Sequence, residues 1–273
     1  VFIRNGGIIL AIVIALTNQK GGVGKTTTSS ALASGLASFY DKKVLAIDLD
    51  PQGSLGFSLG LDIEECSTIY DVLTGKTGIR EAIQTTDYCD IITSNILLSG
   101  AELEFTSADR ELLLKDALQP VLADYDYVII DTPPALNILT LNAYAAADHL
   151  IIPMAPEVLS LLGVTQLRET INSVRQTVNK GLDILGIVLT RFNGRTLLAR
   201  EVKEMAESVA GQMGTKVFDR QIRASVAVAE APAHGTSVYD HAPRSNSSQD
   251  YRAFVEEVLT RTSNRQKNFQ EVG

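Results

Sequence analysis

The residues most able to do chemistry lie together in one stretch, "TNQKGGVGKTTT" at 17–28. Gly21, Gly22 and Gly24, with Val23 among them, let backbone amides turn inward and approach phosphate oxygens without a Cβ in the way. Lys25 stands where an ammonium group spans the β- and γ-phosphates of a nucleotide. The Thr26 hydroxyl, followed by Thr27, stands where Mg2+ is bound. The general phosphate-loop pattern G-x-x-x-x-G-K-[ST] is broken at its first letter, because Gln19 occupies the place of the leading glycine. A second lysine, Lys20, follows directly. The loop predicts a nucleoside triphosphate with Mg2+, and leaves open what the added lysine does.

Carboxylates come next. Asp48 and Asp50 end the apolar run "KVLAID" and its continuation, and alternate residues of a strand leave the backbone on the same side. The strand end beside a phosphate loop is where open parallel sheets bind ligands. Asp131 closes "YVIID" and precedes Thr132, Pro133 and Pro134. It suits a Walker B carboxylate that reaches Mg2+ through water, with the two prolines stiffening the turn that senses the γ-phosphate. An aspartate at a strand end is by itself a common turn former. The phosphate loop ahead of it is what gives Asp131 a chemical role.

Rigid elements must hold these groups. "IILAIVIAL" at 8–16 leads directly into the glycine loop and reads as a buried strand. It is too short to span a membrane and has no small-residue cleavage site after it. Strand-length apolar runs recur at 43–48, 127–131, 149–154 and 182–190, with weaker ones at 88–94 and 215–219. Helical patterns fall between them, at 26–40, 107–123, 161–178, 197–210 and 248–262. This alternation predicts one α/β domain over residues 1–273, a mainly parallel twisted β-sheet with helices on both faces. Residues 1–7 are expected to be a frayed extension and 264–273 a polar tail.

Composition sets outer limits. A chain of 273 residues with 45% hydrophobic and 21% charged residues is ordinary for a globular protein with a sizeable core. The net charge of −8 argues against a uniformly basic surface but leaves room for a local basic patch. Cys66 and Cys89 have no metal-ligand spacing and suit a reduced, cytoplasmic chain.

Taken together, "NQKGGVGKTTT", "LAIDLDPQGS" at 45–54 and "YVIIDTPPALNILTLNA" at 127–143 resemble the ParA/Soj group of deviant-Walker P-loop ATPases, related to MinD and the nitrogenase iron protein. The likeness continues through 189–199 and 226–243, and is weak from about 64 to 122. The resemblance implies an ATPase that uses ATP and Mg2+ and works as a homodimer, with Lys20 reaching the phosphates held by the other subunit. It implies that Asp50 orients the attacking water and that Asp48 helps hold the water shell of the magnesium. It also implies that Glu157 lies near the ribose and the partner's loop, and that Arg191 and Asn193 lie near the base.

The same resemblance implies non-specific binding to double-stranded DNA, a ParB-like partner that stimulates hydrolysis, and a nucleoid-associated protein while ATP is bound. Arg195 matches one DNA-contact position. Where many members carry two arginines before "AEAP", this chain has Ala224 and Ala227, with Arg220 and Arg223 nearby but out of register. The DNA-binding candidates are therefore Arg195, Arg220 and Arg223. A MinD-like positioning ATPase in cell division is the alternative. It calls for an amphipathic, membrane-binding C-terminus, and "TRTSNRQKNFQEVG" has no apolar stripe. The iron-protein reading places cluster cysteines in the strand-end loops, and Cys66 and Cys89 lie outside them.

Overall fold

The computed structural model describes the backbone of residues 3, 4, 7, 8, 10–61 and 66–271; the side chains of 3–8, 158–162, 165 and 265–271 are outside that description. The strands are β1 (Ile12–Leu16), β2 (Val44–Asp48), β3 (Gln84–Thr85), β4 (Asp90–Ile92), β5 (Tyr127–Asp131), β6 (His149–Met154) and β7 (Asp183–Leu189). They form one sheet in the order β3-β4-β2-β5-β1-β6-β7, in which only the β3/β4 pairing is antiparallel. The α/β reading of the sequence is borne out.

Strand β1 lies between β5 and β6, so the chain order reverses on either side of it. That crevice, at the carboxyl ends of the strands, is where this architecture receives ligands. The helices that matter to it are α1 (Lys25–Tyr40), α2 (Ser54–Ser58), α3 (Ile138–Ala146), α4 (Val158–Thr177), α5 (Leu197–Gln212), α6 (Val226–Glu230) and α7 (Asn246–Glu271). Two apolar clusters cover the two faces of the sheet. One joins β1 side chains such as Val13 to α3, α4 and α5, and the other joins Ile14 and Leu16 to α1 and α7. Strands buried on both faces explain why their sequences are apolar without alternation.

Several expectations shift. The first strand begins at Ile12, and Leu10 before it is half exposed. Within the expected frayed start, Ile3–Arg4 pairs with Gly7–Ile8 as a short antiparallel ladder; residues 1, 2, 5, 6 and 9 lie outside the described residues. The run at 215–219 forms no strand, only a bridge from Val217 to Ile187 on the edge strand β7. The 107–123 pattern yields an α-helix only at Leu113–Leu118, with Gln119 as its C-cap and still helical in geometry just before Pro120. Within the expected polar C-terminal segment, α7 runs on through Glu271.

Candidate nucleotide site

The loop between β1 and α1 is shaped by its glycines. Gly22 and Gly24 have φ of 73° and 82°, a region that penalises any residue with a Cβ. A Cβ added at Gly21 or Gly22 would meet nothing within 4 Å, so that side of the loop faces open space. Helix α1 starts at Lys25 with no side-chain cap, which leaves its first amides directed at this space. The loop is braced from below by its neighbours. Thr190 Oγ1, at the end of β7, donates to the carbonyl of Val23 at 2.8 Å, and Asn18 Oδ1 accepts from the amide of Lys20 at 2.9 Å. Asn18 in turn donates to the carbonyl of Pro153 at 2.8 Å.

The two lysines diverge. Lys25 is buried, and its Nζ donates to the carbonyl of Lys20 at 3.2 Å. Burial holds its pKa below the usual lysine value, against the opposing pull of Asp131 and Asp50. Lys20 instead extends to the rim and pairs with Glu157 Oε2. That bond holds the Glu157 carboxyl below its ordinary pKa. Glu157 thus meets Lys20 of its own chain.

Asp48 and Asp131 stand side by side as register partners at the ends of β2 and β5, both with no exposure. Asp131 accepts from Thr26 Oγ1 at 2.6 Å and from Ser29 Oγ at 2.9 Å. Asp48 accepts from the amides of Asp50 and Leu55 at 2.9 and 2.8 Å, and so braces the loop that carries Asp50 into α2. Burial raises both carboxyl pKa values, that of Asp131 to about 6, and the neighbouring Asp131 raises Asp48 further. Asp50 lies in the cavity wall, its Oδ1 accepting from the amide of Gln52 at 3.1 Å.

An open cavity of about 760 Å³ is lined by Gly21, Gly22, residues 24–27 and Asp50 together with Ile222, Arg223, Val226 and Tyr251. Inward amides, an ammonium, and a hydroxyl backed by a buried carboxylate fit a triphosphate with a divalent cation. Gly21, Gly22, Val23, Gly24 and Lys25 would hold the phosphates, and Thr26 with Asp131 the Mg2+. Bound there, the metal would supply charge neutralisation at the phosphates. Among the described residues no group of three or more His, Cys, Asp or Glu is placed to hold a metal. A Mg2+ held through few protein groups, phosphate and water is the usual arrangement.

A family model described as an AAA domain matches residues 11–184. The chain is 40% identical over 262 residues to the chromosome partitioning protein ParA of Myxococcus xanthus, covering 94% of this chain and 91% of that one. It is 40% identical over 252 residues to the sporulation initiation inhibitor protein Soj of Bacillus subtilis, covering 90% and 97%. The chain belongs to the ParA/Soj family of partition ATPases. Among solved structures, this ParA/Soj chain is similar to a cobyrinic acid a,c-diamide synthase from Mycobacterium smegmatis with bound ATP analog and magnesium. The TM-score is 0.79 at 36% identity, over 92% of this chain and 95% of that one. An ATP complex of a Cyanothece McdA variant gives a TM-score of 0.82 at 25% identity, over 92% and 96%. The protein is therefore an ATPase, with a nucleotide and Mg2+ as its ligands.

The structure brings together Lys20, Gly21, Gly22, Val23, Gly24, Lys25, Thr26, Asp50 and Asp131, with Thr27 also in the cavity wall. Arg191 joins them, its Nη1 lying 3.4 Å from the carbonyl of Gly22, at a φ of 51°. Arg195 sits in the turn before α5, its amide bonded to Asn193 Oδ1 at 3.2 Å. Arg220 and Arg223 both converge on Asp250, at 3.6 and 2.7 Å. Sequence reasoning missed Ser29, Thr190 and Asp250. Ser29 could have been found one helical turn after Lys25, whereas Thr190 and Asp250 act across long sequence separations. Among the described residues no helix is long and apolar enough to cross a membrane.

Proposed function

We propose that ATP joins two copies of this chain across their nucleotide faces and that the pair binds double-stranded DNA without regard to sequence. Hydrolysis, stimulated by a ParB-like partner, then releases the DNA. The observation that carries this reading is the divergence of the two lysines: Lys25 points into the cavity, while Lys20, five residues earlier, reaches the rim. A lysine at the rim is suited to phosphates held by a second copy, and Glu157 holds it until then. Within each site Lys25 binds the phosphates, Asp50 orients the attacking water, and Asp131 reaches Mg2+ through water, with Asp48 fixing the Asp50 loop behind it. Arg195 and Arg220 belong to the DNA face. The protein works in the cytoplasm, on the nucleoid while ATP is bound.

A fluorescence titration of random-sequence duplex DNA, with ATP, with ADP and without nucleotide, tests the reading. Binding only with ATP, falling steeply as salt rises, is the expected result. Equal binding in all three conditions, or ATP-dependent binding to anionic liposomes in place of DNA, would overturn it.

A further inference from the structure

The cavity takes in more than its phosphate loop, and one wall carries a charged group from a distant part of the chain. Arg223 lines that wall beside Ile222, Val226 and Tyr251. Its backbone is held to the edge of the sheet: the amide of Ile222 donates to the carbonyl of Leu189 at 2.8 Å, and the amide of Phe192 to the carbonyl of Ile222 at 2.9 Å. Its guanidinium is held as firmly. Nε donates to Asp250 Oδ2 at 2.7 Å and Nη2 to Oδ1 at 2.8 Å, a two-point fork that sets the plane of the group. The backbone amide of Arg223 adds a third bond to Oδ2 at 3.1 Å. Asp250 itself has no exposure, so the fork is anchored in the core side of α7. Nη1 makes no hydrogen bond to a described residue.

Arg223 is partly exposed, yet its guanidinium is fixed by Asp250 within the lining of the same cavity that the phosphate loop forms. We propose that Arg223, clamped by Asp250, is the base-binding residue of the site: the flat guanidinium stacks on a purine, with Nη1 free to donate to a ring acceptor. Guanidinium groups stack readily on aromatic planes, and the apolar side chains beside it suit the rest of a base. Arg223 thereby leaves the DNA-binding set, and Asp250 acts as its positioning residue. The inference rests on the cavity taking a nucleoside triphosphate.

The test compares ligands with and without a base, on the full chain. Binding of ATP, ADP, UTP and inorganic tripolyphosphate is measured for the unaltered protein, Arg223→Ala, and the double variant Arg223→Gln with Asp250→Asn. The double variant keeps a neutral hydrogen-bonded pair and leaves no buried charge without its partner. Both variants are expected to bind ATP and ADP about tenfold more weakly, by the same factor, as for loss of one cation–π contact. Both should also lose preference for ATP over UTP and bind tripolyphosphate as before. Equal losses for ATP and tripolyphosphate would assign Arg223 to the phosphates and overturn the proposal. So would unchanged ATP binding, or ATP-dependent DNA binding lost at unchanged ATP affinity. Failure of the unaltered protein to bind any nucleotide would overturn the ATPase reading itself, a separate outcome.

Discussion

The phosphate loop and the start of its helix are one continuous stretch, residues 17–29, whereas the rest of the cavity wall is assembled from Asp50, Pro134, Thr190, Arg191, Tyr251 and the 222–229 segment. In the first, conformation and chemistry are encoded in the same few residues: glycines with positive φ, then a lysine, then the start of a helix. In the second, groups depend on distant partners, as Arg223 depends on Asp250. The difference teaches that binding of a triphosphate is a local property of this chain. What the site discriminates is a property of its packing.

The largest effect should come in the local stretch. Lys25→Ala is expected to abolish ATP binding in calorimetric titration, since a buried ammonium amid inward amides has no substitute; undiminished affinity would break the comparison at its stronger side. Asp50→Ala should leave ATP binding in place while slowing turnover by ~10²–10⁴, the range for a lost acid–base group. Single-turnover assays that show normal hydrolysis would remove Asp50 from its role.

A long-range backbone contact outside the cavity wall tests assembly in the same way. Gly60 and Gly235, both at positive φ, touch where the segment after α2 meets the turn after α6, and a Cβ on Gly60 would lie 2.7 Å from the carbonyl oxygen of Gly235. Gly60→Ala is expected to destabilise the protein by about 2–3 kcal/mol in urea unfolding, from strained φ and steric overlap together. An unchanged midpoint would show that this contact is looser than its geometry implies.

Smaller effects sharpen the contrast. Asp131→Asn removes one of two adjacent buried charges and should raise the melting temperature of the nucleotide-free protein by about 2–4 °C while lowering hydrolysis. A fall in melting temperature would mean that the hydrogen bonds from Thr26 and Ser29 outweigh the cost of burying the charge. Least of all, Glu157→Gln should change stability by under ~0.5 kcal/mol, because its ion pair with Lys20 is screened by solvent at the rim. A loss of several degrees in a thermal melt would make that pair structural.

How far the sequence could be read follows the same division. β1, β2, β5, β6 and β7 were legible because each is an unbroken apolar run, and sheet burial on both faces requires such runs. The 215–219 run looked alike but lies beyond the edge strand. There Phe218 bonds back to Ile187, and the chain then turns to bring Ile222 to Leu189, so no ladder develops. Leucine spacing at 107–123 reported packing against the sheet, not one continuous helix. Asp48 was legible as a carboxylate at a strand end, but not as the acceptor for the Asp50 and Leu55 amides two and seven residues on, because those bonds depend on the positive-φ turn at Gly53 that leads into α2.

By itself the sequence determined the strand–loop–helix unit, the lysines, the carboxylates and the alternation that makes a parallel sheet, since each depends on residues close in the chain. Tertiary structure alone decided that Lys20 meets Glu157, that Asp48 lies against Asp131, and that Arg223 turns toward the cavity under the hold of Asp250. Those pairings join residues separated by 27 to 137 positions. Local propensity has no reach over that distance; only the closing of the sheet and the docking of α7 bring them together.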